Sequence, residues 1–264
     1  MTTQTPAAAA DGPTAWRQFT GAVTFEWIKI RSIRSTWWAW LAAGFVTIGA
    51  GVLGAGNAAP GEPAGAVAGK ILGGVMLGQI VVCLFGVLAA TSEYGTGSIR
   101  STFTALPHRP RLLVAKALVV LAVSTVLGTL ILVSTLLAGS VMLAPGATVP
   151  SVADASVLRA VLGGGGYLGL LSVFSLTLGL VLRATAGGIT AATSITFVLP
   201  SMMSLLGESG EVLNKWWPTA AGAQILQLVP SPGDLAPLPG FAYFALITLI
   251  AFAGAVVLTQ RRDA

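Results

Sequence analysis

The sequence predicts an all-α integral membrane protein with six transmembrane helices, on three observations. Of its 264 residues 55% are hydrophobic and 9% charged, against roughly 25% charged in an ordinary soluble domain. Mean hydropathy is +0.85. The apolar residues are gathered in runs of about the 20 residues that a helix needs to cross a ~30 Å hydrocarbon core. So few polar groups cannot cover a soluble fold. The 33 Gly and 14 Pro lie within apolar runs rather than polar, disordered tracts.

Residues 1–14 read as a disordered tail, and 15–264 as one domain. The stretch from Trp16 to Ile33 is too charged to cross a bilayer. At 100° per residue, Trp16, Phe19, Val23, Trp27 and Ile30 share an arc of about 80°, while Arg17, Gln18 and Lys29 lie off it. This predicts a helix on the membrane surface, its rings in the headgroup layer and cations such as Lys29 and Arg31 toward anionic lipid. An ordinary basic flank is the plainer alternative.

Six apolar runs follow, at 37–55, 71–91, 112–143, 157–182, 186–206 and 241–259. In lipid a backbone must satisfy its own polar groups, so the runs are helices; a closed barrel would alternate polar and apolar residues. The first run is too long, and too far from Met1, to be a signal peptide. Gly49-Ala50-Gly51-Val52-Leu53-Gly54 matches a dinucleotide fingerprint but falls inside this run, where close helix packing is the better reading. The Gly69/Gly73, Gly74/Gly78 and Gly165/Gly169 pairs read the same way. Glycines 163–166 and Pro200 are candidate hinges as well as packing or bending positions.

Eleven of the 14 Lys and Arg fall on one side of this topology. That places both termini in the cytoplasm and explains the basic pI of 9.9 without nucleic acid. The nine carboxylates lie in tails, loops or at the edges of spans, whereas an ion-coupled transporter usually holds one within a span. Mid-span polar residues are neutral: Gln79, Ser134, Thr135, Thr193 and Ser194. Cys83 and His108 are single, the first in an apolar run and the second in a proline-flanked turn. No catalytic, metal or nucleotide motif is complete, so any ATP chemistry belongs to another chain.

The connection between the second and third runs is the most distinctive segment. Ile99, Phe103 and Leu106 fall at helical spacing before Pro107, making a short amphipathic helix whose apolar face needs a cover. The segment Glu93-Tyr94-Gly95-Thr96-Gly97-Ser98-Ile99-Arg100, with Arg111 and Lys116 opening the next run, resembles the cytoplasmic loop of ABC-2 type transporter permeases. Three further pieces resemble that family in order: Phe25-Glu26-Trp27-Ile28-Lys29-Ile30-Arg31-Ser32, Asn214-Lys215-Trp216-Trp217-Pro218-Thr219-Ala220-Ala221-Gly222, and Gln260-Arg261-Arg262-Asp263-Ala264. Ser98 departs from the family's usual Thr and keeps the hydroxyl.

The resemblance implies the membrane subunit of a bacterial ABC exporter in the cytoplasmic membrane. Its partners would be a second permease, identical or not, and two copies of an ATP-binding subunit that hold the ATP and magnesium. Glu93 would orient the coupling loop, Ile99, Arg100 and Phe103 would contact the ATPase, and the surface helix carrying Glu26 would contact it too. The segment 212–229 would form short re-entrant helices, with Trp216 and Trp217 at headgroup level and Pro218 turning the chain. A substrate path for a drug, lipid or peptide could pass Met76, Gln79, Met202 and Met203, which packed core would explain as well. The competing functions are an ion-coupled secondary transporter and a non-transporting anchor or sensor that recruits a cytoplasmic protein.

Overall fold

A computed structural model describes residues 15–95, 109–143, 146–229 and 233–261. The predicted tail and residues 96–108 lie outside them. Every regular element among the described residues is helical. Six stretches are long and apolar enough to cross a membrane: Arg34–Gly56, Ala64–Ser92, Pro110–Val141, Ala155–Leu182, Thr185–Leu206 and Pro237–Arg261. The chain is a multi-pass membrane protein.

The first helix, α1 (Ala15–Ser32), meets the first span, α2 (Arg34–Gly56), at an elbow of one extended residue, Ile33. The indole N–H of Trp37 donates across the elbow to the carbonyl of Arg31 at 3.2 Å. The end of the bundle that carries α1 is here called proximal, and the opposite end distal.

The second span is two helices, α3 (Ala64–Leu72) and α4 (Val75–Gly95), where the sequence suggested one. The break at Gly73 and Gly74 lies where the second span crowds α2. A Cβ on Gly74 would overlap the Thr47 carbonyl and the Gly51 amide of α2. Gly51 and Gly54 abut the carbonyls of Ile71 and Lys70 in turn. The fingerprint-like glycines of the first span therefore form a helix seam of the kind small residues allow.

The third span, α5 (Arg109–Val141), has 33 residues and is about 50 Å long at 1.5 Å per residue. It exceeds the hydrocarbon thickness. The fourth span, α6 (Ala155–Leu182), is the bundle's axis. Leu168, Leu171, Leu176 and Leu180 are buried along it, and α4, α5 and the last span pack around it. Gly165 and Gly169 receive Thr129 and Thr125 of α5, so this pair behaves as predicted. Glycines 163–166 stand as packing positions. The helix runs unbroken through them, and each is filled against Ile225, Leu226, Thr129 or Phe241. Several buried hydroxyls in the spans bond their own helix, as from Thr47 to Ala43, Thr135 to Ile131 and Ser175 to Leu171 (2.7–2.8 Å).

A two-residue reversal, with Arg183 in the left-handed region at φ +52°, leads into the fifth span. This span is segmented: α7 (Thr185–Thr193), a π-helical turn (Ser194–Val198), α8 (Leu199–Met203) and a 3-10 turn (Ser204–Leu206). Beyond it lie α9 (Glu208–Lys215), α10 (Pro218–Ala223), a 3-10 turn (Gln224–Leu226) and the sixth span, α11 (Pro237–Arg261). The predicted pair of short helices with a turn at Pro218 is present.

Candidate functional site

Two arrangements concentrate polar chemistry, one at each end. At the proximal end, α1 packs along α5, and its buried stripe is Ala22, Glu26 and Ile30 with Phe19 and Val23 beside it. Of the aromatic arc, Phe19, Val23 and Ile30 pack inward, while Trp16 and Trp27 are exposed at its edge. Small Ala22 lets the backbones approach, an effect that an arc of large apolar residues does not reveal.

Glu26 is corrected, from a surface residue to a buried one. Its Oε2 accepts from Lys116 Nζ of α5 at 2.9 Å, and both side chains are almost completely covered. Gln18 accepts from Arg111 Nη1 at 2.7 Å, a second tie between the same helices. A small cleft beside the pair is lined by Glu26, Lys29, Ser35, Thr36 and, from the end of α4, Ser92. So α1 is wedged where the second and third spans end, on either side of the 96–108 connection.

Glu93, Tyr94 and Gly95 close α4. Their side chains, and the predicted coupling residues Thr96, Gly97, Ser98, Ile99, Arg100 and Phe103, lie outside the described residues. Lys29 and Arg31 occupy the last turn of α1.

The distal end holds a cavity of about 590 Å³. Its walls are α3, the start of α4, Tyr167 of α6, Thr196 and Pro200 of the fifth span, and the chain from Asn214 to Val229. The fifth span's irregularity builds one wall. In the π turn the Leu199 amide reaches back to the Ser194 carbonyl. The next such partner, for the Ile195 carbonyl, would be residue 200, and Pro200 has no N–H. Trp217 Nε1 donates to that carbonyl instead at 2.7 Å, and Thr219 Oγ1 at 3.2 Å. A proline thus creates the vacancy that docks α10 against the fifth span. Arg159 fixes the other flank by donating to the carbonyls of Gln227 (2.7 Å) and Ile225 (3.4 Å).

Inside the cavity Tyr167 donates its hydroxyl to Gln79 Oε1 at 3.0 Å, and both residues are buried. Asn214 Oδ1 and Gln227 Oε1 are buried without a hydrogen-bond partner. Buried acceptors are rarely left unpaired in folded proteins, so these two are open positions for a donor. Near the rim Lys70 pairs with Glu62 at 2.8 Å and donates to the Asn57 carbonyl at 3.0 Å. Hydrogen bonding from Lys70, then from the Ala59 amide, holds the Glu62 carboxyl below its ordinary pKa. The lining offers amides, hydroxyls and apolar surface, which suits reversible binding of an amphiphile.

Of the four predicted path residues, Met76 and Gln79 line this cavity and Met202 and Met203 do not. The π turn changes the helical register, so Thr196 and Pro200 face inward instead. Trp216 and Trp217 part ways. Trp217 turns in to Ile195, while Trp216 stacks edge-on against Tyr243 with Lys215 over its ring. Tyr167 and Arg159 were not anticipated, although each is a polar group in an apolar run that needs a partner.

A comparison with protein-family models finds no match, and one with curated proteins finds no significant match.

Proposed function

We propose that the chain is the permease subunit of an ATP-driven ABC-2 type exporter, moving a hydrophobic or amphiphilic substrate across a bacterial cytoplasmic membrane. The proximal end is cytoplasmic on this reading, in accord with the bias of Lys and Arg. A second permease subunit and two copies of an ATP-binding subunit complete the assembly, and ATP and magnesium reside in the latter.

The observation that carries the reading is the buried joint at the proximal end. Glu26 and Lys116 lock a helix lying at the membrane surface to the base of a span that begins one connection after α4. A force applied at residues 96–108 would reach α4, α5 and α1 together. The distal cavity is a place for cargo at the other end of α4, where Gln79 lies. The family resemblance of Glu93 to Arg100 supplies the identity of the partner.

The test is purification of the tagged protein in mild detergent, with identification of the proteins that accompany it. An ATP-binding protein in equal amount is expected, lost when Phe103→Asp is introduced while membrane insertion is kept. Transport in sealed vesicles should require ATP. Transport driven by an ion gradient without ATP, or a partner without ATPase activity, would overturn the reading.

A further inference from the structure

Between α1 and α5 lies a second groove, of about 420 Å³. Val23, Trp27 and Ile30 of α1 form one wall, and Trp37 of α2 joins the lining. The other wall runs along α5 from Leu118 to Leu127. Those residues cover about 14 Å of helix axis, so the groove lies along the direction of a lipid chain. Its only charged lining residue is Arg31.

We propose that this groove is a specific site for one anionic phospholipid, an acyl chain lying along α5 and the phosphate on the Arg31 guanidinium. The inference depends on the chain's place in the membrane and not on its transport function. In a bilayer the medium beside an apolar cleft between spans is hydrocarbon, so the groove's natural occupant is a chain. What makes the site selective is charge. Glu26, the carboxylate nearest in sequence on the same helix, is committed to Lys116. Among the described residues no carboxylate pairs with Arg31. The bond from Trp37 to the Arg31 carbonyl ties the end of α1 to α2, and Arg31 is part of the groove's lining. Trp27 and Trp37 suit headgroup depth, where indoles are enriched.

The test uses the full-length protein in dodecyl maltoside, titrated with 1-palmitoyl-2-oleoyl phosphatidylglycerol or the matching phosphatidylcholine and read by native mass spectrometry. The wild type should retain one phosphatidylglycerol per chain, about fivefold more tightly than phosphatidylcholine, the effect of roughly one cation near an anionic headgroup. Arg31→Gln should bring the two lipids to parity. Val126→Trp, or Ala122→Phe if that variant does not fold, should fill the groove from exposed positions and lose both. Leu53→Trp, exposed on α2 outside the groove, should bind as wild type. Equal retention of the two lipids by the wild type, unchanged retention in the filled variants, or a protein adduct in place of lipid would overturn the site.

Discussion

Two lysine–carboxylate pairs stand at opposite ends of the bundle with nearly the same geometry, 2.9 Å for Lys116–Glu26 and 2.8 Å for Lys70–Glu62. Their surroundings are opposite. The proximal side chains are 3% and 2% exposed, the distal ones 38% and 19%. An exposed pair gains little, because water competes for both charges and salt screens them. A buried pair has given up its hydration, and its attraction only roughly offsets that loss. Distance alone therefore says nothing of what a pair does. The proximal pair specifies one register of α1 on α5, and the distal pair clips a loop.

The sharpest way to break the contrast is to remove one buried partner. Lys116→Met would leave the Glu26 carboxylate in an apolar joint, where its Oε1 already lacks a partner. Loss of about 3–5 kcal/mol is expected, the usual effect of stranding a buried charge. The expected result is a large drop in the thermal unfolding midpoint in detergent. Glu26→Met combined with Lys116→Met should recover most of it, since a well-packed apolar pair needs no compensation. A double variant as unstable as the single would mean that the pair contributes net stability beyond register.

How far the sequence discloses this molecule follows the same physics. Hydropathy located all six spans, because it depends on local composition. Pro218 marked the turn between α9 and α10, since its missing N–H fits a helix start. The break at Gly73 and Gly74 was hidden, because the contacts that demand glycine at 74 come from another helix, through the Thr47 carbonyl and the Gly51 amide. Glu26 read as a surface group because its partner lies 90 residues away. The distal cavity was half legible. Met76 and Gln79 sit on a regular helix whose face can be counted, whereas Met202 and Met203 follow a π turn that shifts the count. That turn depends on Trp217 and Thr219, donors from a different segment.

Those donors provide a distal test of intermediate size. Trp217→Phe removes the shorter bond to the Ile195 carbonyl and leaves Thr219. A loss of about 1 kcal/mol is expected, the typical net worth of one hydrogen bond. Adding Thr219→Val leaves the carbonyl with no donor in its own helix, because Pro200 has no N–H to offer. The double variant should then lose about 1–3 kcal/mol more, the penalty of a buried acceptor left unpaired. If thermal midpoints of both variants match the wild type, the carbonyl is satisfied otherwise and α10 is held by packing alone.

The smallest effect belongs to the distal pair itself. Glu62→Gln should leave the unfolding midpoint at pH 7 unchanged within error, as expected where both partners meet water. Its signature is local and depends on pH. Because folding lowers the Glu62 pKa from 4.5, the carboxylate's contribution is present above that value. It is lost as pH falls through the lowered pKa of the folded protein. Below that range the Oε2 bonds to Lys70 and to the Ala59 amide at 3.0 Å should weaken together. Lys70 should then keep only the Asn57 carbonyl among its bonds near the cavity rim. Amide exchange over residues 57–63, corrected for its intrinsic pH dependence, should quicken on acidification in the wild type. In Glu62→Gln it should be fast and flat with pH. Equal protection in both proteins across the range would show that the helix ends, and not the ion pair, hold this loop.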